Sequence, residues 1–135
     1  TKIFNPDKNT MANPPLIEIV DDDDDVRRIL VRVVEMLGYR ARSHENALAY
    51  LAAAPADDAA AMVLDVRMPG MSGIELKAHL DQIGRYLPVI FISGESLPSE
   101  TESPQARQAV AFLWKPFKLD QLRQALEKAL APNAG

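Results

Sequence analysis

The chain has 135 residues, of which 47% are hydrophobic and 25% are charged, and its formal net charge is −4. This length and composition predict one folded domain rather than a disordered chain. The low charge argues against direct nucleic-acid binding, which needs clustered Lys and Arg. The absence of cysteine excludes disulfides and Cys-based zinc sites and fits a cytoplasmic location.

The two ends of the sequence lack the regular pattern of its centre. Residues 1–13 have no apolar run typical of a signal peptide, and Met11 is a plausible natural start, so we interpret 1–13 as a disordered or non-native leader. We expect a folded domain over 14–131 and a short tail over 132–135. The apolar run Ala59–Leu64, like every other apolar run in the sequence, is too short to cross a bilayer, so we expect no membrane association.

Apolar runs and helical stripes alternate along the first half of the domain. Leu16–Val20 is a short apolar run stopped by acids, which predicts a buried strand. Apolar residues recur at helical spacing over 26–37, and Gly38 ends this predicted helix. Tyr39–Ser43 is predicted to be a weak second strand, and Glu45–Ala53 is predicted to be a helix.

The second half continues the alternation. Ala61–Leu64 predicts a third strand that ends at Asp65, and Ser72 is a plausible cap for a helix over Ile74–Ile83. The remaining predicted elements are a fourth strand at Val89–Ile92, a fifth at Val110–Trp114 and a final helix from Leu119 to Leu130. Strands and helices that alternate in this way predict an α/β fold, with a parallel sheet covered by helices on both faces.

The segment between the fourth and fifth strands departs from this alternation. A fourth helix is expected there, but residues 94–108 are mostly polar and include Pro98 and Pro104. A proline in a helix interior costs about 3 kcal/mol or more, because it lacks an N–H group and clashes with the preceding turn. We therefore predict that the fourth helix is short, broken or mobile.

Polar residues follow the apolar runs at the predicted strand ends. They are Asp21 and Asp22 after the first strand, Asp65 after the third, Ser93 and Gly94 after the fourth, and Lys115 and Pro116 after the fifth. Each residue alone has an ordinary explanation as a helix cap, a turn or a solvated charge. In an open parallel sheet, however, ligands bind beyond the carboxyl ends of the strands. The coincidence at these ends therefore indicates one site.

The residue types at these strand ends indicate phosphoryl chemistry. Clustered carboxylates repel one another unless a cation neutralises them. Without His or Cys directly after the first, third, fourth and fifth strands, oxygen ligands favour Mg²⁺ or Mn²⁺ over zinc. A carboxylate can itself be the nucleophile and form an aspartyl phosphate. Lys115 and Ser93 can then hold the remaining phosphoryl oxygens.

Four segments together resemble the receiver domain of bacterial two-component response regulators. They are Val20-Asp21-Asp22, Leu64–Gly73, Ile92-Ser93-Gly94 and Trp114-Lys115-Pro116-Phe117. The resemblance runs from about Leu16 to Leu130 and assigns a receiver domain to 14–131. It implies a flavodoxin-like, doubly wound, five-stranded parallel sheet with strand order 2-1-3-4-5. It also implies phosphorylation by a histidine kinase or a phosphotransfer protein.

The resemblance assigns a role to each residue that holds the metal or the phosphoryl group. Asp65 matches the phosphoacceptor. Asp22 matches a direct Mg²⁺ ligand, and Asp21 matches a ligand that acts mainly through a metal-bound water. Arg67 matches the position whose backbone carbonyl coordinates the metal, and Lys115 matches the lysine that pairs with the phosphate.

The resemblance also assigns residues to a conformational switch. Ser93 matches a hydroxyl that moves to the phosphoryl group, and Gly94 matches the small residue that gives it access. Phe112 matches a rotating aromatic residue, and the Lys115–Pro116 peptide bond is expected to be cis. The switching surface is formed in the family by the fourth helix, the fifth strand and the final helix, and partners contact it there. The irregular fourth helix puts that surface in doubt but leaves the phosphorylation site intact.

Two side chains on the fifth strand bear on this surface. Phe112 and Trp114 are two residues apart and therefore point to the same side of the sheet. Trp114 either packs against the final helix or lies under a pliable lid formed by Ser96–Arg107. At the other end of the domain, Asp23, Asp24 and Asp25 match no ligand position, and we interpret them as the cap and first turn of the first helix.

Two other functions share parts of this pattern. A Mg²⁺-dependent phosphohydrolase also uses an aspartate at a strand end, but it typically has a second aspartate two residues later, where this chain has Arg67. A vestigial receiver that acts only as an interaction module is the other alternative, although every site residue is present. Since only residues 131–135 follow the final helix, we expect no effector domain here. A stand-alone regulator, a piece of a larger regulator and the receiver of a hybrid kinase all fit.

Overall fold

The computed structural model describes residues 4–5, 10–11, 13–95 and 97–131. Phe4–Asn5 and Thr10–Met11 form a short antiparallel pair. The rest of the expected leader and the expected tail at 132–135 lie outside the described residues. Among the helices that are described, none has both the length and the apolar character needed to cross a membrane.

A parallel sheet of five strands forms the centre of the domain. We number its strands β1 (Leu16–Val20), β2 (Arg40–His44), β3 (Ala59–Asp65), β4 (Val89–Ser93) and β5 (Ala111–Trp114). Their spatial order is β2-β1-β3-β4-β5, and every neighbouring pair is parallel. The predicted fold class and the order 2-1-3-4-5 are therefore confirmed.

Helices connect these strands. They are α1 (Asp24–Met36), α2 (Ala47–Ala52), α3 (Gly73–Gln82), α4 (Pro98–Thr101), α5 (Pro104–Gln108) and α6 (Leu119–Leu130). The side chain of Asp23 caps α1, and Ser72 caps α3 in a reciprocal pair with Glu75, as the sequence predicts for both caps. The second helix starts later than predicted, because Asn46 caps it by accepting a hydrogen bond from the Ala49 amide.

The sheet is buried on both faces, and successive strand residues point to opposite sides. Ile17 and Ile19 of β1 pack in a cluster with residues of α1 and α6, such as Leu30 and Leu126. Val20 belongs to a second cluster on the other face, with residues of α2 and α3. This alternation follows from the period of two in a strand. It holds the strand ends rigidly at one edge of the sheet.

The fourth-helix segment is broken, as predicted. It forms two short helices, α4 and α5, and none of their residues is buried. Pro98 and Pro104 each lie at the start of a helix, where a missing N–H group costs nothing. Ser103 caps α5 by accepting a hydrogen bond from the Ala106 amide. The chain therefore avoids an interior proline by starting a second helix at Pro104.

Trp114 lies on the face of β5 opposite the final helix. Its ring is 5.1 Å from that of Phe112, and the residue is 49% exposed. Leu113, between the two aromatic residues, packs in the cluster that contains Leu122 of α6. The interpretation that Trp114 packs against the final helix is therefore wrong, because strand alternation turns its side chain away.

Candidate functional site

The carboxyl ends of the parallel strands bring three carboxylates together. Asp65 ends β3, and Asp21 and Asp22 directly follow β1, the neighbouring strand. One carboxylate oxygen from each of the three lies within 4.8 Å of the others. Asp21 and Asp65 are buried, whereas Asp22 is exposed. We call these three residues the acidic cluster.

Lys115 provides a cation at the same edge. Its Nζ atom lies 3.2 Å from Oδ2 of Asp21 and 3.4 Å from Oδ1 of Asp65. Burial alone would lower the pKa of Lys115, but the two carboxylates outweigh burial and raise it. The lysine is held in place by its backbone amide, which donates to the Ser93 carbonyl. Its peptide bond to Pro116 is cis, as the resemblance implies.

One ammonium group does not neutralise the acidic cluster. Burial raises the pKa of Asp65 from an ordinary 3.8 to about 7, and the charge of Asp21 adds to this effect. Burial also raises the pKa of Asp21. Three carboxylate oxygens lie close together, and two of the three carboxyl groups have raised pKa values. Such a cluster fits a hard divalent cation. The acidic cluster is therefore compatible with divalent metal binding.

An open cleft of about 620 Å³ lies over the cluster. Its lining consists of Asp22, Asp23, Asp65, Arg67, Gly94, Glu95 and Lys115. A Cβ atom placed on Gly94 would meet no heavy atom within 4 Å, so packing does not require glycine there. The space in front of it is open, which is compatible with the expected access to the site.

The predicted switch residues Ser93 and Phe112 lie in β4 and β5 and do not line the cleft. Ser93 is fully buried, and its hydroxyl donates to the Glu95 carbonyl at 2.6 Å. Phe112 is half-buried between Phe91 and Trp114, with ring centroids 6.0 and 5.1 Å away. The guanidinium of Arg67 lies 3.4 Å from the Glu100 carboxylate and thus joins the site to α4.

Gly73 supports the site, although the sequence analysis assigned it no role. A Cβ atom on Gly73 would lie 2.2 Å from the Asp65 carbonyl oxygen, closer than any real contact. The Gly73 amide donates to the Val66 carbonyl at 2.9 Å, which ties the start of α3 to the end of β3. Only glycine permits this approach. A glycine directly after the Ser72 cap was the one signal in the sequence.

Arg27 and Glu95 were also missed. Arg27 donates from Nη1 to the Asp21 backbone carbonyl at 2.8 Å, and Glu95 lines the cleft. Neither residue follows a strand directly, so a search of strand ends does not find them.

Known proteins resemble this chain in sequence over most of its length. A profile of the response regulator receiver domain family matches residues 17–127. The transcriptional regulatory protein FixJ of Rhizobium meliloti (strain 1021) is 38% identical over 114 residues, which is 84% of this chain and 55% of FixJ. The response regulator protein TmoT of Ectopseudomonas mendocina is 36% identical over 116 residues, which is 85% of this chain and 52% of TmoT. The chain thus spans about half the length of these curated relatives.

Solved structures resemble it in fold as well. The crystal structure of FixJ-N matches with a TM-score of 0.78 at 32% identity, covering 91% of this chain and 98% of that one. The response regulator StyR matches with a TM-score of 0.78 at 35% identity, covering 87% of this chain and 59% of that one. With the strand order and the acidic cluster at the sheet edge, these matches show that the chain belongs to the response regulator receiver domain family.

Proposed function

We propose that Asp65 accepts a phosphoryl group from a histidine kinase or a phosphotransfer protein, with Mg²⁺ (or Mn²⁺) bound by the acidic cluster. The observation that carries the proposal is the convergence of three carboxylates and Lys115 at one open cleft, which Asp22, Asp65 and Lys115 line. Receiver domains of response regulators are phosphorylated by histidine kinases, and this chain matches that family over residues 17–127. The chain acts as a cytoplasmic signalling module rather than as an enzyme.

The transfer itself needs little from the protein beyond placement and charge. A carboxylate oxygen of Asp65 attacks phosphorus, the phosphorus–nitrogen bond of the donor phosphohistidine breaks, and its electron pair stays on the imidazole. Lys115 pairs with a phosphoryl oxygen, since its ammonium already lies 3.4 Å from Asp65. A bound divalent cation supplies the charge that screens the phosphoryl oxygens from the acidic cluster.

Metal binding is assigned to the edge formed by β1 and β3. Asp22 is exposed to the cleft and would be a direct ligand, whereas buried Asp21, which already pairs with Lys115, would act mainly through a metal-bound water. Arg67 would contribute its backbone carbonyl, which leaves its guanidinium beside Glu100.

The response to phosphorylation is assigned to Ser93 and Phe112. The Ser93 hydroxyl leaves the Glu95 carbonyl for a phosphoryl oxygen, and Phe112 turns into the space that this movement opens. Phe112 contacts Trp114, and α4 and α5 bury no residue. A small change in free energy at the site can therefore rearrange this surface. Gly94 keeps the path of the hydroxyl open. An output partner contacts this surface.

The alternatives find less support. A phosphohydrolase would need an acid where Arg67 stands, and that guanidinium faces Glu100. A vestigial module would not require an aspartate at each position of the acidic cluster together with a paired lysine.

Intact-mass measurement after incubation with acetyl phosphate and Mg²⁺ tests the proposal. We expect a single phosphoryl addition to the wild type and to Asp57→Asn, an exposed aspartate outside the site that serves as the control. Asp65→Asn should gain none. Continuous turnover of acetyl phosphate without a stable adduct would support the hydrolase, and an unmodified wild type would support the vestigial module.

A further inference from the structure

Arg27 hydrogen-bonds to the loop that carries Asp21 and Asp22, two members of the acidic cluster. Its Nη1 atom donates to the Asp21 backbone carbonyl at 2.8 Å, and its Nη2 atom pairs with the Asp24 carboxylate. The side chain is only 17% exposed although it lies in the first helix turns. One guanidinium therefore connects the end of β1 to the start of α1, across the turn at Asp22 and Asp23.

The group that Arg27 holds is the peptide unit between the two aspartates. The Asp21 carbonyl belongs to the same rigid plane as the Asp22 amide. Holding this plane restricts the directions in which the Asp21 and Asp22 side chains leave the backbone. Asp21 helps to close the turn, because its Oδ1 accepts from the Asp23 amide at 2.9 Å. Arg27 therefore stabilises the turn that places the Asp21 and Asp22 carboxylates next to Asp65.

We propose that Arg27 is a positioning residue that sets the affinity of the acidic cluster for a divalent cation. This inference rests on the proposed function of the cluster and adds a residue to it. Without Arg27, the turn is free to open, because the like charges of its aspartates repel one another. Residues that orient metal ligands typically change metal affinity by 10–100-fold when they are replaced.

The proposal makes a prediction opposite in sign to that of simple electrostatics. Removing a positive charge beside an acidic cluster strengthens the attraction of the cluster for a cation. If Arg27 acted only through its charge, Arg27→Gln would therefore bind Mg²⁺ more tightly. If Arg27 positions the loop, the same change weakens binding.

Arg28 provides a matched control. It is the next residue of α1, carries the same charge and pairs with Asp25 in the exposed first turn. Arg28→Gln therefore removes an equal charge near the cluster and leaves the Asp21 carbonyl bound to Arg27. Arg27→Lys keeps the charge but cannot reproduce the two-pronged guanidinium geometry.

Calorimetric titration of the full chain with MgCl₂ tests the proposal. We expect the Kd for Mg²⁺ to rise about tenfold in Arg27→Gln, to rise less in Arg27→Lys and to stay equal or fall in Arg28→Gln. Phosphorylation by acetyl phosphate should be slow in Arg27→Gln at limiting Mg²⁺ and should recover at saturating Mg²⁺. That recovery would show that the defect lies in Mg²⁺ affinity rather than in the transfer step, and circular dichroism without Mg²⁺ checks that the fold itself is intact.

Each outcome decides between the claims. If the wild type binds Mg²⁺ and Arg27→Gln binds it as tightly as Arg28→Gln, the role of Arg27 is overturned while the proposed function stands. If the wild type binds no Mg²⁺, the metal in the proposed function and the role of Arg27 both fail. Circular dichroism monitors folding. Should Arg27→Gln fail to fold, Arg27→Lys decides, since a Kd equal to the wild-type value would overturn the proposal.

Discussion

Asp65 is held in the folded protein at an electrostatic cost. Its burial beside Asp21 raises its pKa from 3.8 to about 7. A carboxylate with a raised pKa favours the folded state most below its unfolded pKa, and this contribution is lost as the pH rises through the folded pKa. The metal-free protein should therefore lose stability between about pH 4 and pH 7. A divalent cation bound by the acidic cluster would offset the same repulsion.

Replacing Asp65 with Asn should stabilise the metal-free protein. The amide carries no charge, so we expect a gain of about 1–3 kcal/mol at pH 8 that shrinks toward pH 4.5. Thermal melting in EDTA at the two pH values measures it, with Asp57→Asn as the control for a loss of charge elsewhere. Equal melting temperatures of Asp65→Asn and the wild type at pH 8 would show that the charge of Asp65 does not destabilise the folded protein.

Glu18 lies in β1, the strand that leads into the loop with Asp21 and Asp22. Its pKa shifts in the opposite direction to that of Asp65. It is 1% exposed, and its carboxylate accepts from Arg42 at 2.7 and 2.9 Å and lies 2.9 Å from Nε2 of His44. Burial alone would raise the pKa of Glu18, but the hydrogen bonds from His44 and Arg42 outweigh it and lower the pKa. The backbone carbonyl of His44 also accepts from the Asp21 amide, so the network adjoins the site.

Replacing Glu18 with Gln should destabilise the protein in a pH-dependent way. A lowered pKa contributes stability above the unfolded value of 4.5, and this stability is lost as the pH falls through the folded pKa. We expect a loss of about 2 kcal/mol at pH 7, since the substitution leaves Arg42 without its charged partner. Urea unfolding from pH 7 downward should show the two proteins converging below pH 4.5. A constant difference at every pH would exclude this ionic contribution.

At the scale of elements, the start of α3 determines how closely a helix approaches the phosphoacceptor strand. Gly73→Ala should cost about 2–4 kcal/mol, because the new Cβ would lie 2.2 Å from the Asp65 carbonyl oxygen and α3 would have to shift. Gly94→Ala is the matched control, since its Cβ would meet nothing within 4 Å. Urea unfolding compares the two. Equal losses would mean that α3 is free to move.

The helices α4 and α5 have little packing to hold them in place. They bury no residues and are short, so their amides should open locally at low cost. We predict that amides of 99–107 exchange with solvent much faster than those of α1, as measured by hydrogen exchange with mass spectrometry. Phosphorylation should change both the exchange of this segment and the emission of Trp114, which is the single tryptophan. Strong protection of 99–107, together with unchanged emission, would contradict a movable surface.

At the scale of the whole molecule, the sequence predicts what depends on local pattern. The order of strands and helices follows from apolar periodicity, and Asp21, Asp65 and Lys115 are found because the ends of parallel strands meet at one edge. The break in the fourth helix near Pro104 was also predicted from the sequence. The position of Pro104 at the start of α5 was not predicted, because it depends on the Ser103 cap.

Contacts between distant residues were not predictable from these patterns. The pairing of Glu18 with His44 requires the register of β1 against β2, and the predicted second strand ended at Ser43, one residue before His44. The reach of Arg27 to the Asp21 carbonyl requires the path of the acidic turn, which five consecutive aspartates do not reveal.

We propose above all that the phosphoryl group is transferred to the Asp65 carboxylate. Borohydride reduction of the protein after treatment with acetyl phosphate and Mg²⁺ converts an aspartyl phosphate to homoserine, and tandem mass spectrometry locates the converted position. We expect homoserine at position 65 alone, with unmodified aspartate at 21 and 22. Homoserine at position 21 or 22, or a phosphorylated protein with no conversion at position 65, would contradict it.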